Sequence, residues 1–118
     1  MVLTVGSKVL IVHRRLFEAD HPRYFVGQVD GYENGIAKVT GHTWVYDPME
    51  GELDKKGDAR TKILSLVSGG LICYELPIDL NLETLRFQYS EHVLSLTDAK
   101  KFKMDLSENY RAPVKLRK

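Results

Sequence analysis

Apolar and polar positions alternate with a period of two between Tyr24 and Tyr46, in YFVGQVDGYENGIAKVTGHTWVY. Two β-rich runs flank Glu33, Asn34 and Gly35, which predicts a hairpin. A two-residue Asn34-Gly35 turn would pair Asp30 with Val39 and Tyr32 with Ala37, mixing polar and apolar on both faces. A three-residue loop from Glu33 to Gly35 sorts them better and sets Asp30 opposite Lys38, a favourable cross-strand pair. One face then carries Phe25, Val29, Ala37, Val39 and Val45, interspersed with Gly27, Gly31 and Gly41. The other carries Tyr24, Tyr32, Lys38, His42, Trp44 and Tyr46 among smaller residues. Glycines inside strands are tolerated where a sheet bends sharply or another segment approaches closely, as in a strongly coiled sheet.

The remaining chain reads in similar short runs. MVLTVGSKVLIVHRR predicts a first strand. DPMEGELDKKGDA, with seven charges and no periodicity, predicts a long exposed loop over 47–59. In RTKILSLVSGGLICYELP two apolar runs flank Gly69-Gly70, a second hairpin signal. Both faces of these runs are apolar, which predicts central strands under another layer, and Pro77 ends the pairing. Asp79 is placed to cap one short turn over residues 80–84. LRFQYSEHVLSLTD predicts a further hairpin around Ser90, Glu91 and His92. Over 98–109, Phe102, Met104 and Leu106 alternate as a strand does. Ala99, Phe102, Leu106 and Tyr110 fit a helical stripe as well, and the strand is the preferred reading. The pattern predicts a mostly antiparallel β fold, a small barrel or β-roll of seven or eight strands with glycine-rich hairpins and at most one or two short helices. The alternative is an α+β fold with a helix near 98–109.

Length changes this picture little: 118 residues suit one β-rich domain over 1–110, followed by a basic tail over 111–118. Charge changes it more. The net charge is +1, yet residues 46–99 carry five Lys or Arg against ten Asp or Glu, and residues 100–118 carry seven against two. Such asymmetry fits self-association, an anionic partner for the tail, or simply a solvated terminus. No apolar run reaches the length of a membrane span, and the N-terminus lacks the charged start of a signal peptide. A single cysteine, Cys73, excludes an internal disulfide and fits a reducing cytoplasm.

Motifs for enzymatic chemistry are missing: there is no phosphate-binding glycine loop, no nucleophile elbow and no zinc-protease helix. Cys73, between Ile72 and Tyr74, reads as a small core hydrophobe. The histidines at 13, 21, 42 and 92 match no zinc spacing, so no metal and no cofactor are expected. Two surfaces stand out. The break HRRLFEADHPRYF gathers Arg14, Arg15, His21 and Arg23, either a solvated strand end or an anion-binding rim. The hairpin face with Tyr24, Tyr32, Lys38, His42, Trp44 and Tyr46 sets aromatics beside basic groups, as base-stacking surfaces do.

The segments YFVGQVDGYENGIAKVTGHTWVYDP, RTKILSLVSGGLICYELP and LRFQYSEHVLSLTD resemble a family of small bacterial proteins of unknown function. The resemblance implies a bacterial cytoplasmic protein and supplies no functional residues. The expectation is therefore a non-enzymatic binding or accessory module acting through protein contacts, including self-association as a homodimer. Single-stranded nucleic acid on the aromatic hairpin face is the first alternative. A small-ligand or enzyme pocket around His13, His21 and Arg23 is the second.

Overall fold

The computed structural model describes residues 2–13, 23–90 and 93–106. Its contacts divide the chain into two compact units, Met1–Glu83 and Thr84–Lys118. The fold is mostly antiparallel β, as the alternation predicts. The first unit is a six-stranded sheet built from β1 (Lys8–His13), β2 (Arg23–Glu33), β3 (Ile36–Asp47), β4 (Glu52–Lys55), β5 (Arg60–Ser65) and β6 (Leu71–Leu76). Strand order runs β4-β3-β2-β1-β6, and β5 shares the outer side of β3 with β4. A 3-10 turn follows at Leu82–Thr84.

The β2–β3 pairing keeps the expected register over most of its length, including Gly27↔Gly41 and Val29↔Val39. The turn differs from the expectation. Glu33 pairs Ile36 around a two-residue Asn34-Gly35 turn, with φ of 50° and 81° at those residues. Asn-Gly is the sequence best suited to a turn with two positive φ angles, and it wins here. The extra residue is absorbed at Asp30, a bulge between Val29 and Gly31. Asp30 therefore pairs neither Lys38 nor Val39, and its carboxylate accepts a hydrogen bond from the Thr40 hydroxyl. Beyond the bulge Tyr32 changes face and packs against the core.

Gly27 and Gly41 face each other where the two backbones nearly touch. A Cβ on Gly41 would lie 2.0 Å from the Val26 carbonyl oxygen, and one on Gly27 2.4 Å from that of Thr40. Only glycine fits this crossing, the close approach anticipated for a coiled sheet.

The 47–59 segment is not a loop throughout. After a tight turn at Asp47–Gly51, β4 returns along β3 with Leu53 buried. Gly69-Gly70 is likewise not a hairpin, because β5 pairs β3 and β6 pairs β1. Five residues separate Ser65 from Leu71, yet they link opposite sides of the sheet. Four strand spacings in a flat sheet span about 19 Å, close to the limit of a fully extended link of that length. The link turns on itself, with the Ser68 amide donating to Ser65 O at 3.5 Å, so the sheet must curl. It curls without closing into a barrel. Inside the curl, Val9, Ile11, Phe25, Val29, Ala37, Val39 and Leu64 form the core with Leu3, and Leu66, Leu71 and Cys73 pack against it.

The second unit holds a three-stranded sheet, β7 (Arg86–Ser90), β8 (Val93–Thr97) and β9 (Lys103–Asp105), in sequence order. Ser90 pairs Val93, so β7 and β8 form the expected hairpin. Residues 98–106 hold a turn and β9 rather than a helix. The Asp98 carboxylate accepts from the amides of Lys100 and Phe102 at 2.8 and 3.0 Å, which commits the backbone to a turn. In the first unit Asn81, not Asp79, caps the 3-10 turn, through Glu83 N–H to Asn81 Oδ1 at 2.9 Å. Residues 107–118, including the tail, lie outside the described residues.

Candidate functional site

Strand parity decides where each side chain goes. The aromatic and basic residues of the first hairpin do not share one open surface. Tyr24 and Trp44 are register partners on the outer face, only 7% and 8% exposed. His42 and Tyr46 are half-buried on the same side, while Lys38 is exposed further along β3, opposite Ile63 of β5. Tyr32 has moved to the core side. Base stacking needs open ring faces, and the rings of Tyr24 and Trp44 are covered.

A cleft of about 680 Å³ opens on the outer face, between β1–β3 and the segment 79–83. Trp44, His42, Lys8, Lys55 and Asp30 are among its lining. Four of its charged groups already have partners. Lys8 donates to the Leu80 carbonyl, Lys55 lies 3.9 Å from Glu83, and Thr40 bridges Asp30 and Thr61. At the β3–β4 turn Asp47, Glu50 and Asp54 hold carboxylate oxygens within 4.8 Å of one another. The charge of Asp54, then that of Asp47, raises the Glu50 carboxyl above its ordinary value. Loss of hydration, then the hydrogen bond to Asp47, raises Asp54.

The core face ends differently. His13 and Arg23 are cross-strand partners at the end of β1 and β2. Arg60, Lys62 and Leu64 alternate on β5 so that all three face the same side as Val39 and Ala37. The Lys62 ammonium sits 4.5 Å from the centroid of the fully buried Phe25 ring. His13 Nε2 is buried with no hydrogen-bond partner among the described residues. Burial, then the charges of Lys62 and Arg23, holds the His13 imidazole below its ordinary value. Burial, then Arg23 and Arg60, does the same to Lys62. Among the described residues no carboxylate forms an ion pair with any of these groups. Of the expected anion rim, Arg23 is here, whereas Arg14, Arg15 and His21 lie outside the described residues. Arg60 and Lys62 were not anticipated as its neighbours. The signal was present in the alternation of RTKIL, but assigning it required β5 to pair with β3.

Of the apolar residues expected beneath a second layer, Leu64 and Leu76 are buried, whereas Ile63 and Val67 are open, 72% and 82% exposed, and Ile36 beside them is 49% exposed. Ile36 and Ile63 are diagonal neighbours on the outer face, and Val67 Cγ1 lies against Gly35 at the hairpin tip. No described strand pairs with the outer edge of β5. Cys73 is half-buried against the core, and loss of hydration, followed by the charge of Glu75, raises its thiol. A thiol in that setting stays protonated, as expected of a structural cysteine. Among the described residues no helix is long and apolar enough to cross a membrane. No protein-family model, curated protein or solved structure matches this chain.

Proposed function

We propose that the protein is a non-enzymatic binding module working through protein contacts, and that its docking element is the β5 edge, taken up by β5 of a second copy. The observation that carries this reading is the β5 edge, unpaired among the described residues, with Ile63, 72% exposed, at its middle and Ile36 and Val67 beside it. An unpaired edge offers a row of backbone donors and acceptors for strand addition. β5 has no proline or bulge to block it, and its two basic side chains turn toward the core face.

The sequence also selects a register. A two-fold axis perpendicular to the sheet pairs residues of equal parity, so it passes through either Lys62 or Ile63. Centring on Lys62 sets two ammonium groups directly opposite, which is unfavourable. Centring on Ile63 pairs Ile63 with its copy, sets Thr61 opposite Ser65 and places Lys62 against Leu64. The second register is the one proposed.

Cysteine cross-linking tests it in a Cys73→Ala background. Directly opposed residues have Cα atoms about 4.5–5.5 Å apart, within the span a disulfide bridges. Ile63→Cys is expected to form a covalent dimer under mild oxidation, and Ser65→Cys is not. Equal cross-linking of both, or of neither, contradicts the proposed pairing.

A further inference from the structure

We infer that His13, Arg23, Arg60 and Lys62, gathered at one end of the core face, form a binding site for a phosphate group. This site rests on other side chains than the β5 docking edge does, since Arg60 and Lys62 face the core side and Ile63 the other.

Three basic side chains, two of them guanidinium groups, converge here from β2 and β5, and no described carboxylate neutralises them. Like charges repel, and a cluster left in this state is stabilised by an anion that bridges it. Two guanidinium groups offer planar forks of donors, the geometry that matches the oxygens of a tetrahedral oxyanion. The floor is the buried Phe25 ring, with Lys62 held 4.5 Å above its centroid. An apolar floor lowers the local dielectric and strengthens each charge-assisted bond. His13 adds a fourth group. Its buried Nε2 has no partner among the described residues, and with the proton on that nitrogen it donates to an oxyanion. Three positive charges exceed what one carboxylate balances, so the cluster favours a dianion. The ligand class is therefore free phosphate or a phosphate monoester.

The test follows the His13 ring resonances of the whole chain by NMR while inorganic phosphate or glycerol 3-phosphate is added. A saturable shift at His13 is expected. Tighter binding of the ester identifies a monoester site, and tighter binding of phosphate a free-phosphate site. Lys62→Met keeps the apolar stem over Phe25 and removes the charge. Losing one charge-assisted bond weakens binding about tenfold, and Arg23→Gln is expected to do the same. Lys38→Gln, on the outer face, leaves affinity unchanged. Melting curves of the variants confirm that they fold. The inference is overturned if His13 does not shift, if Lys38→Gln weakens binding as much as Lys62→Met, or if only a single-stranded oligonucleotide, not either phosphate, shifts His13.

Discussion

Gly27 and Gly41 carry the tightest requirement at the scale of single residues. A methyl group on Gly41 would meet the Val26 carbonyl oxygen at 2.0 Å, and backbone cannot swing aside as a side chain can. Gly41→Ala is expected to destabilise the first unit by about 3 kcal/mol, the upper range for overpacking. Gly31 is the control: nothing lies within 4 Å of the Cβ it would gain, so Gly31→Ala is expected to be neutral or slightly stabilising. Chemical denaturation of the variants separates the two. His13 makes a pH prediction. Its folded value lies below the ordinary histidine value near 6.5, because of burial and the facing charges of Lys62 and Arg23. The unfolded chain therefore binds the proton more readily than the folded one. Stability from this residue is complete above the ordinary value and falls as pH drops through it toward the folded value. The melting temperature is expected to fall between about pH 7.5 and pH 5.5, and His13→Gln is expected to flatten that part of the profile. A steeper fall in the variant contradicts this assignment.

Elements show how much the sequence carried. Period-two alternation placed β2 and β3 correctly and sorted Phe25, Val29, Ala37 and Val39 onto one core face. It could not resolve whether the odd residue belonged to the turn or to a bulge. Both choices keep Val29 opposite Val39, and only the φ preferences of Asn34 and Gly35 decide it. Gly69-Gly70 misled because a hairpin and a short link across a curled sheet share the same local residues. What distinguishes them is the non-local pairing of β5 with β3, which no local pattern encodes. That one pairing also governed the candidate sites. It took Arg60 and Lys62 to the side of Arg23, and it left Ile63 on an open edge instead of beneath a second layer. Two turns yield element-scale predictions. Asp98 anchors the β8–β9 turn through the amides of Lys100 and Phe102, and those bonds, Lys100 first, hold its carboxyl below the ordinary value. Asp98→Ala is expected to lower the melting temperature at neutral pH. The difference from the parent shrinks as pH falls through the acidic range and the parent carboxylate is protonated. Asp54→Asn acts in the opposite sense. Removing one charge from the Asp47, Glu50 and Asp54 group relieves repulsion, so a small rise in melting temperature is expected, and a fall contradicts it.

The whole molecule comprises two compact units, and the first carries every feature on which the functional reading rests. Its curl gives the sheet an inner and an outer face with different chemistry. The inner face ends in a cationic cluster, and the outer face meets an apolar corner at the edge of β5 that no described strand pairs. Sedimentation equilibrium over a wide concentration range tests the self-docking of β5 most directly, with the parent chain beside Ile63→Lys. A reversible monomer–dimer equilibrium is predicted for the parent. Burying two Ile63 side chains contributes about 3 kcal/mol, so the variant is predicted to dissociate about a hundredfold more readily. A parent that stays monomeric throughout, or a variant that dimerises as the parent does, contradicts docking through the β5 edge.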